Sequence, residues 1–306
     1  MAAPSAPTPG VHAEPTRAVG RPARWRPRPA VLCSWSPAFR YDLGEDGVVN
    51  GTLELTKANR LKVARAFRLN KRVDFSIECA IEGQLGTVLV DDATQPTAYC
   101  IRVGPFGYFA GDARHAGGRL LMQGFPAYRL LMPSPLEWLA SAQDVFGEHL
   151  KSLPRYSFSS APLSSEHLTR LLEGSPFREC IIPLSVDLAQ QATEQPESPL
   201  DLSDFDSAAD FIERGLGYTV LDNGRMMGVA YSSLVCSQGI EVSVYVEDAD
   251  RRQGVATALS SRLLLECLAS NLRPNWDAAN PESVKLATKL GYRFLESYEA
   301  YYHTRG

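Results

Sequence analysis

The chain has 306 residues, 44% of them hydrophobic and 22% charged, a length and composition that allow two packed cores and exclude collagen-like, coiled-coil and wholly disordered proteins. Its formal net charge of −4 gives no basic field for a polyanion, and no apolar run approaches the roughly 20 residues of a membrane-spanning helix. We therefore predict a soluble, cytoplasmic protein that binds neither nucleic acid nor a membrane, with an oligomeric state that the sequence leaves open.

Six cysteines and five histidines are scattered through the chain. No two cysteines have C-x-x-C spacing, and no histidine has metal-ligand spacing to another histidine or to a cysteine. We predict reduced, mostly buried thiols and no metal site.

The first 30 residues hold seven prolines and five arginines against one acidic residue. They show no hydrophobic period of 2 or 3.6, so residues 1–34 are predicted to be a disordered tail. A secretory signal would need a continuous apolar segment that is missing here. A transit peptide shares the arginine-rich, acid-poor composition, but the prolines oppose its amphipathic helix. Whether the tail is a targeting segment stays open.

Residues 35–160 alternate short apolar strands with helical stretches, which predicts a smaller α/β domain. The predicted strands are 86–90, 98–103 and 108–110, and the predicted helices are 57–69 and 135–150. The polar segment 189–206 then predicts a loop.

The last hundred residues give the clearest pattern, and we place a second domain at 161–306. The predicted elements are a helix at 207–214, hairpin strands at 218–221 and 226–235, a strand at 239–246, a helix at 256–271, a strand at 275–278, a helix at 281–290, and strands at 292–295 and 298–302. The hairpin follows from the Asp-Asn-Gly-Arg turn at 222–225. The last helix has Asn280 as a cap, Pro281 at its first position and Gly291 at its end.

The segment Arg-Arg-Gln-Gly-Val-Ala at residues 251–256 lies between a strand and a helix. The first turn of a helix presents unpaired N–H groups and a partial positive charge, so a diphosphate binds there when side chains leave room. Gly254 and Ala256 leave that room, and Arg251 and Arg252 add charged donors. The structural alternative is an ordinary turn with a solvated arginine pair.

The motif that follows is more specific. Residues 276–292 read Trp-Asp-Ala-Ala-Asn-Pro-Glu-Ser-Val-Lys-Leu-Ala-Thr-Lys-Leu-Gly-Tyr, after the Arg-x-x-Gly-x-Ala segment and its helix. This order resembles the acetyl-CoA-dependent N-acetyltransferases of the GNAT superfamily, and in particular a bacterial group with a WDA-x-N…LA-x-KLGY string. The resemblance covers about residues 75–303, more weakly before Ser207. It implies a mixed α+β or α/β fold whose twisted, mostly antiparallel sheet is flanked by helices and preceded by the smaller α/β domain.

The resemblance also implies a cofactor site. Backbone amides of residues 252–257 would hold the diphosphate of acetyl-CoA, and the backbone of Val244 and Val246 would pair with the pantetheine arm, which resembles a peptide. Asn280 would lie near the thiol arm, with a plain helix cap as the alternative, and Ser283 one turn further on. The predicted cofactor residues are Val244, Val246, Arg251, Arg252, Gln253, Gly254, Val255, Ala256, Thr257, Asn280 and Ser283.

Acetyl transfer to an amine needs a proton acceptor for the amine and a proton for the leaving thiolate. Glu241 matches a carboxylate position that the superfamily uses as the base, directly or through water, and burial would raise its pKa toward neutrality. The alternative is a strand-end glutamate facing solvent. Ala287 stands where many members carry the tyrosine that protonates the thiolate. We predict Tyr292 as the acid, with Tyr245, Tyr298, water or unassisted departure of the thiolate as alternatives.

We therefore predict an N-acetyltransferase that moves an acetyl group from acetyl-CoA to a primary amine of a small molecule. Ala287 supports a different class, a catalytically weak acyl-CoA-binding or regulatory protein. Protein acetylation is a third possibility. The domain at 35–160, which would suit a degenerate copy of the same fold, is predicted to shape the acceptor pocket. Residues 109–112 and 155–156 could line that pocket, although a turn and a helix-to-strand connection explain them equally well.

Overall fold

A computed structural model of the chain describes residues 48–49, 51–132, 134–194 and 199–304, so the predicted tail at 1–34 lies outside the described residues. The strands are β1 (Val48–Val49), β2 (Thr52–Glu54), β3 (Thr87–Val90), β4 (Ala98–Val103), β5 (Phe106–Gly111), β6 (Leu130–Met132), β7 (Leu150–Ser159), β8 (Ile181–Pro183), β9 (Gly217–Asp222), β10 (Arg225–Cys236), β11 (Gly239–Val246), β12 (Arg273–Asn275), β13 (Asp277–Ala278) and β14 (Arg293–His303). The α-helices are α1 (Ser76–Ile81), α2 (Ala116–Gln123), α3 (Glu137–Phe146), α4 (Ser165–Glu173), α5 (Val186–Thr193), α6 (Ala208–Arg214), α7 (Val255–Ala269) and α8 (Pro281–Leu290).

The strands form two sheets. One has the order β1-β2-β3-β4-β5-β6-β14-β7-β13 and the other has the order β12-β11-β10-β9-β8. Among the described strands only β5–β6 and β11–β12 pair in parallel. The predicted fold class, an antiparallel-dominated sheet architecture flanked by helices, is confirmed.

The two sheets are not divided at residue 160. The C-terminal strand β14 pairs along its length with β7 and touches β6, so it lies within the sheet of the N-terminal half. A single strand with a bulge between Phe294 and Glu296 replaces the two strands predicted at 292–295 and 298–302. The last strand of the C-terminal half thus lies in the sheet of the N-terminal half. The division into two domains stays a prediction.

Three predictions for the chain before residue 207 need correction. The helix predicted at 57–69 is two 3-10 helices, Lys57–Val63 and Ala66–Leu69, held by the buried guanidinium of Arg60, which donates to the Leu85 carbonyl. The helix predicted at 135–150 is α3, which stops at Gly147 with φ +52°, a region that favours glycine. The loop predicted at 189–206 is helical up to Thr193, because Ser185 caps α5 and its alanines are buried.

The C-terminal predictions hold more closely. The hairpin β9–β10, the strand β11 and the helices α6, α7 and α8 are confirmed, with bounds within two residues of those expected. Helix α7 packs on one face of the second sheet and shares a core with Val242 and Ile240. The opposite face is covered by α1, whose Cys79 lies in the same core as Leu234.

The strand predicted at 275–278 is divided between the sheets. β12 ends at Asn275 and pairs with β11, whereas β13 begins at Asp277 and pairs with β7 of the other sheet. Trp276, between them, is turned into the core and donates from Nε1 to Ser283 Oγ at 3.0 Å. This split is the structural feature on which the candidate site depends.

None of the helices in the described ranges combines the length and the apolar character that crossing a bilayer requires. Of the described cysteines, Cys180 is exposed and the other four are buried without disulfides.

Candidate functional site

The division of the chain at Trp276 opens a wedge beside β11. Residues 239–241 of β11 pair with β12, and in the described part of the chain residues 242–246 have no strand on that side. The Glu247 amide donates to the Met227 carbonyl on β10, so alternation along the strand directs the backbone groups of Val244 and Val246 toward the open edge. An extended, amide-bearing ligand can pair with such an edge.

The apex of the wedge is fixed on both sides. β10 has a bulge between Ser232 and Leu234, where the Ser233 hydroxyl donates to the Glu241 carbonyl at 3.3 Å. On the other side, Asn275 Nδ2 donates to Glu241 Oε2 at 2.8 Å and to the Val73 carbonyl at 2.9 Å. The Glu241 side chain therefore lies where β11 and β12 separate.

The wedge leads to the beginning of α7. Arg252 and Gly254 have φ of +63° and +97°, which turn the chain sharply into the helix. Among the described residues no side chain caps this end, and a Cβ added at Gly254 would meet nothing within 4 Å. The first-turn N–H groups of α7 are thus available beside open space, as the diphosphate prediction requires.

Side chains of residues 248–253 stabilise this turn. Arg251 forms an ion pair with Asp248 at 2.8 Å and donates from Nε to the Val246 carbonyl at 3.2 Å. Gln253 Nε2 donates to the Ala249 carbonyl at 3.2 Å. Arg251 and Gln253 therefore stabilise the loop itself. Arg252 is exposed. Contact of these three side chains with a cofactor stays a prediction.

Lys289 is a basic residue of the site that the sequence reasoning did not select. It extends from α8, and its Nζ donates to Thr257 Oγ1 in the first turn of α7 at 3.1 Å. The ammonium group therefore lies at the end of α7 that would face phosphate. Its position within the KLGY string was visible, but the packing of α8 beside the start of α7 was not.

Asn280 and Ser283 form a local structure at the start of α8. Asn280 Oδ1 accepts from the Ser283 amide at 2.9 Å, which confirms the predicted cap. The Ser283 hydroxyl accepts from Trp276, so this motif fixes the helix to the end of the split strand. Contact of Asn280 and Ser283 with a cofactor stays a prediction.

Glu241 is buried, with 6% of its surface exposed, so the alternative of a solvent-facing glutamate is wrong. Its Oε1 accepts from the Asp277 amide at 3.2 Å, in addition to the Asn275 bond to Oε2. Burial, followed by the charges of Asp74 and Asp277, raises the pKa of Glu241 well above its usual value. This is the direction that a base working near neutral pH requires.

A second buried carboxylate, Asp74, reaches this cluster from the N-terminal half and was not found by sequence reasoning. Its Oδ1 accepts from the Tyr108 hydroxyl at 2.8 Å, and its Oδ2 accepts from the Ser76 hydroxyl at 2.7 Å. Burial raises the pKa of Asp74 to about 6 despite these bonds. No set of three side chains within the described residues, this cluster included, is arranged to hold a metal ion.

The tyrosine predicted as the acid lies in the core. The Tyr292 hydroxyl donates to the Pro274 carbonyl at 3.2 Å, its ring packs 5.4 Å from that of Trp276, and burial raises its pKa well above 10. This environment favours a packing role, and proton donation by Tyr292 stays a prediction. Ala287 is fully buried in the same core.

The segments considered as lining of an acceptor pocket have structural roles. Phe109 lies in the core with its ring centroid 4.9 Å from that of Trp138. Arg155 Nε donates to Asp277 Oδ2 at 2.6 Å, and its Nη2 donates to the Asp277 carbonyl at 3.3 Å. The structural interpretation of residues 109–112 and 155–156 is therefore favoured.

Residues 68–301 match the sequence model of the GNAT acetyltransferase family. The chain belongs to the GNAT acetyltransferase family. Its membership places it among the acyltransferases, and the match runs through both halves of the chain.

Individual relatives agree with this assignment. The chain is 23% identical over 227 residues to the uncharacterized N-acetyltransferase YdfB of Bacillus subtilis, which covers 71% of this chain and 85% of YdfB. A GCN5-related N-acetyltransferase-like protein from Streptococcus suis has 28% identity and a TM-score of 0.69 over 81% of this chain and 99% of its own. A Drosophila protein with 11% identity and a TM-score of 0.51, over 83% of this chain and 99% of its own, shares the fold.

Proposed function

We propose that this GNAT acetyltransferase transfers an acetyl group from acetyl-CoA to a primary amine of a small molecule. The observation that carries the proposal is a surface with two parts: the edge of β11 at residues 242–246, which no described strand pairs, and the start of α7, which no described side chain caps. One part offers backbone pairing to an amide-bearing arm, and the other offers N–H groups to a diphosphate.

The residues present fit acetyl-CoA at both ends of this surface. Gly254 leaves space where a side chain would block a phosphate, and the ammonium of Lys289 lies against the first turn of α7. The outward backbone groups of Val244 lie between this turn and Glu241. Bound acetyl-CoA supplies the thioester whose acetyl group is transferred.

Glu241 then acts on the acceptor. A protonated amine is not a nucleophile, and the raised pKa of Glu241 makes its carboxylate a stronger proton acceptor than an exposed glutamate. Water between Glu241 and the amine could carry the proton, since the side chain is buried. The wedge brings the carboxylate to the end of the surface opposite the diphosphate turn.

The N-terminal half favours a small acceptor over a protein. Asn275 is bonded to the Val73 carbonyl, Cys79 lies 3.4 Å from the Val235 carbonyl, and Arg273 stacks 4.5 Å from the ring centroid of Phe75. Helix α1 therefore covers the face of β10 opposite α7. Such a cover narrows the approach to Glu241, which suits a small primary amine.

Two measurements test the proposal. Calorimetry with acetyl-CoA should show binding, and release of free CoA thiol should depend on a small primary amine chosen from a panel. Gly254→Asp should weaken acetyl-CoA binding by about tenfold or more, because it places a carboxylate at the phosphate position. The matched control is Gly224→Asp, since Gly224 also has a positive φ, +83°, and open space at its Cβ position.

The alternatives give different results. Binding without thiol release for any amine would indicate the weak acyl-CoA-binding protein that Ala287 suggests. Release with peptides but not with small amines would indicate protein acetylation. No heat with acetyl-CoA at millimolar concentration would refute the proposal.

A further inference from the structure

The ion pair between Arg155 and Asp277 is almost completely buried, with 3% and 2% of the two side chains exposed. It joins β7 to β13, whose residues Asp277 and Ala278 pair with Ser157 and Tyr156. The guanidinium also lies over the ring of Phe106, 5.1 Å from its centroid. The pair therefore holds the diverging strand in the sheet of the N-terminal half.

Asp277 also contacts Glu241. While its carboxylate is held by Arg155, its backbone amide donates to Glu241 Oε1 at 3.2 Å. The N-terminal half thus acts on Glu241 through Asp277 as well as through Asn275 and Asp74, because the position of Asp277 depends on Arg155. The sequence separation of 122 residues between Arg155 and Asp277 makes this a tertiary contact that no local pattern contains.

We propose that Arg155 and Asp277 are positioning residues for acetyl transfer, which keep the wedge open at the apex and hold Glu241 in place for the acceptor amine. The inference rests on the proposed function of Glu241. It assigns part of the acetyl-transfer machinery to the N-terminal half, which lies outside the sheet that carries β11.

The charges around Glu241 give the two residues opposite effects. The ionisable groups facing Glu241 are Asp74 before α1, Asp277 on β13, Arg155 on β7 and Tyr292 before β14. The carboxylates of Asp74 and Asp277 raise the pKa of Glu241, whereas the guanidinium of Arg155 lowers it. Removing one partner of the ion pair exposes Glu241 to the uncompensated charge of the other.

The test is therefore a pair of variants with opposite predicted signs. Asp277→Asn should move the titration of Glu241 to lower pH, and Arg155→Gln should move it to higher pH, each by about one unit. The shift is measured on the ligand-free protein by NMR of 13C-labelled glutamate side chains, with Glu241→Gln to assign the signal. Arg155→Lys, which keeps the charge, should restore most of the wild-type midpoint.

A matched control separates this effect from general loss of packing. Arg214→Gln breaks another ion pair, in which the buried guanidinium of Arg214 contacts the half-buried Asp210 of α6, and should leave the Glu241 midpoint unchanged. If Asp277→Asn fails to fold, Arg155→Lys and Arg155→Gln still test the sign. Shifts in the same direction for both partners, or no shift, would overturn the proposal.

Activity then distinguishes this inference from the proposed function. If the acid limb of the kcat–pH profile of each variant shifts with its NMR midpoint, the positioning role of Arg155 and Asp277 and the role of Glu241 as proton acceptor both stand. If the NMR midpoints move with opposite signs while the acid limb stays fixed, the positioning of Glu241 stands and its role as the proton acceptor fails.

Discussion

The ammonium group of Lys289 lies against the first turn of α7, where the diphosphate is proposed to bind. A hydrogen bond between a charged donor and phosphate contributes about 1.5–3 kcal/mol when formed away from water, and less at an exposed position. We therefore expect Lys289→Met to weaken acetyl-CoA binding about fivefold to tenfold, with a smaller loss at high salt. Calorimetry at two ionic strengths measures both effects.

The control is Lys285→Met on the same helix. Lys285 is 76% exposed and pairs only loosely with Glu282 at 3.8 Å. Its replacement removes the same charge from α8 without touching α7, so affinity should change by less than about twofold. Equal losses for the two variants would mean that the net charge of α8, and not the position of Lys289, governs binding.

A second residue-scale prediction concerns Asp204, which is unconnected with catalysis. Burial raises the pKa of Asp204 from 3.8 to about 7, although Arg129 and the Gly104 amide oppose the shift. A carboxyl whose pKa is raised by folding destabilises the native state as pH rises from about 4 to about 7, and the cost stays constant above that range. The stability advantage of Asp204→Asn over the wild type should therefore be larger at pH 8 than at pH 5, by about 1–3 kcal/mol in the free energy of unfolding.

Urea unfolding at the two pH values measures this difference. Asp206→Asn, in the same segment, is the control because Asp206 is exposed. A gain for Asp204→Asn that is the same at pH 5 and pH 8 would contradict the explanation.

Sequence reasoning proposed site residues from a local pattern and from the family resemblance. Gly254 follows from a glycine at a helix start, and Glu241 follows from its match to a carboxylate position of the superfamily. Asp74 and Lys289 were missed because nothing near them in sequence indicates that they meet Glu241 and Thr257 in space. Their roles depend on which surfaces of the two sheets come together.

At the scale of elements, the start of α8 combines a cap with a proposed cofactor contact, and one substitution separates them. Asn280→Ala removes the oxygen that accepts from Ser283 and should lower stability by about 1 kcal/mol. Asn280→Asp keeps an accepting oxygen, so stability should be preserved. If Asn280 also contacts acetyl-CoA, Asn280→Asp should still bind it more weakly.

Urea midpoints and calorimetry give the two results independently. Ser185→Ala removes the equivalent cap from α5, which packs on α6, and should lower stability without changing affinity. Unchanged affinity in Asn280→Asp would leave Asn280 as a cap alone.

The elements that were predicted well are those with their own start and stop signals. The turn at 222–225, the glycine before α7 and the cap and terminal glycine of α8 gave bounds within two residues. The division of β12 from β13 was not predictable in this way, since residues 275–278 were predicted as one short strand. It follows from the burial of Trp276 and the capture of Asp277 by Arg155, which are tertiary effects.

At the scale of the whole molecule, the two halves share both structure and site. β14 of the C-terminal half pairs with ten residues of β7, from His303 opposite Leu150 to Arg293 opposite Ser159. Arg155 comes from the same strand β7. A motif confined to residues 207–306 therefore predicts the acetyltransferase fold, whereas the sheet that completes it begins in the N-terminal half.

This arrangement predicts the behaviour of a divided chain. Residues 161–306 expressed alone would lack β7, so β14 would present an unpaired edge, and Asp277 and Glu241 would be buried without Arg155. We expect this fragment to show no cooperative urea transition and poorly dispersed amide NMR signals. Coexpression with residues 1–160 should restore both, because the two pieces together hold every strand of the sheet.

The control is the intact chain with a protease site inserted at Ala161 and Pro162, which are exposed in the turn after β7. Cleavage of the folded protein there should leave the two pieces associated and the urea midpoint close to that of the uncut protein, because no pairing between β7 and β14 is lost. A sharp, cooperative transition for residues 161–306 alone would show that β7 is dispensable. The acetyltransferase half would then fold independently of the strand that carries Arg155.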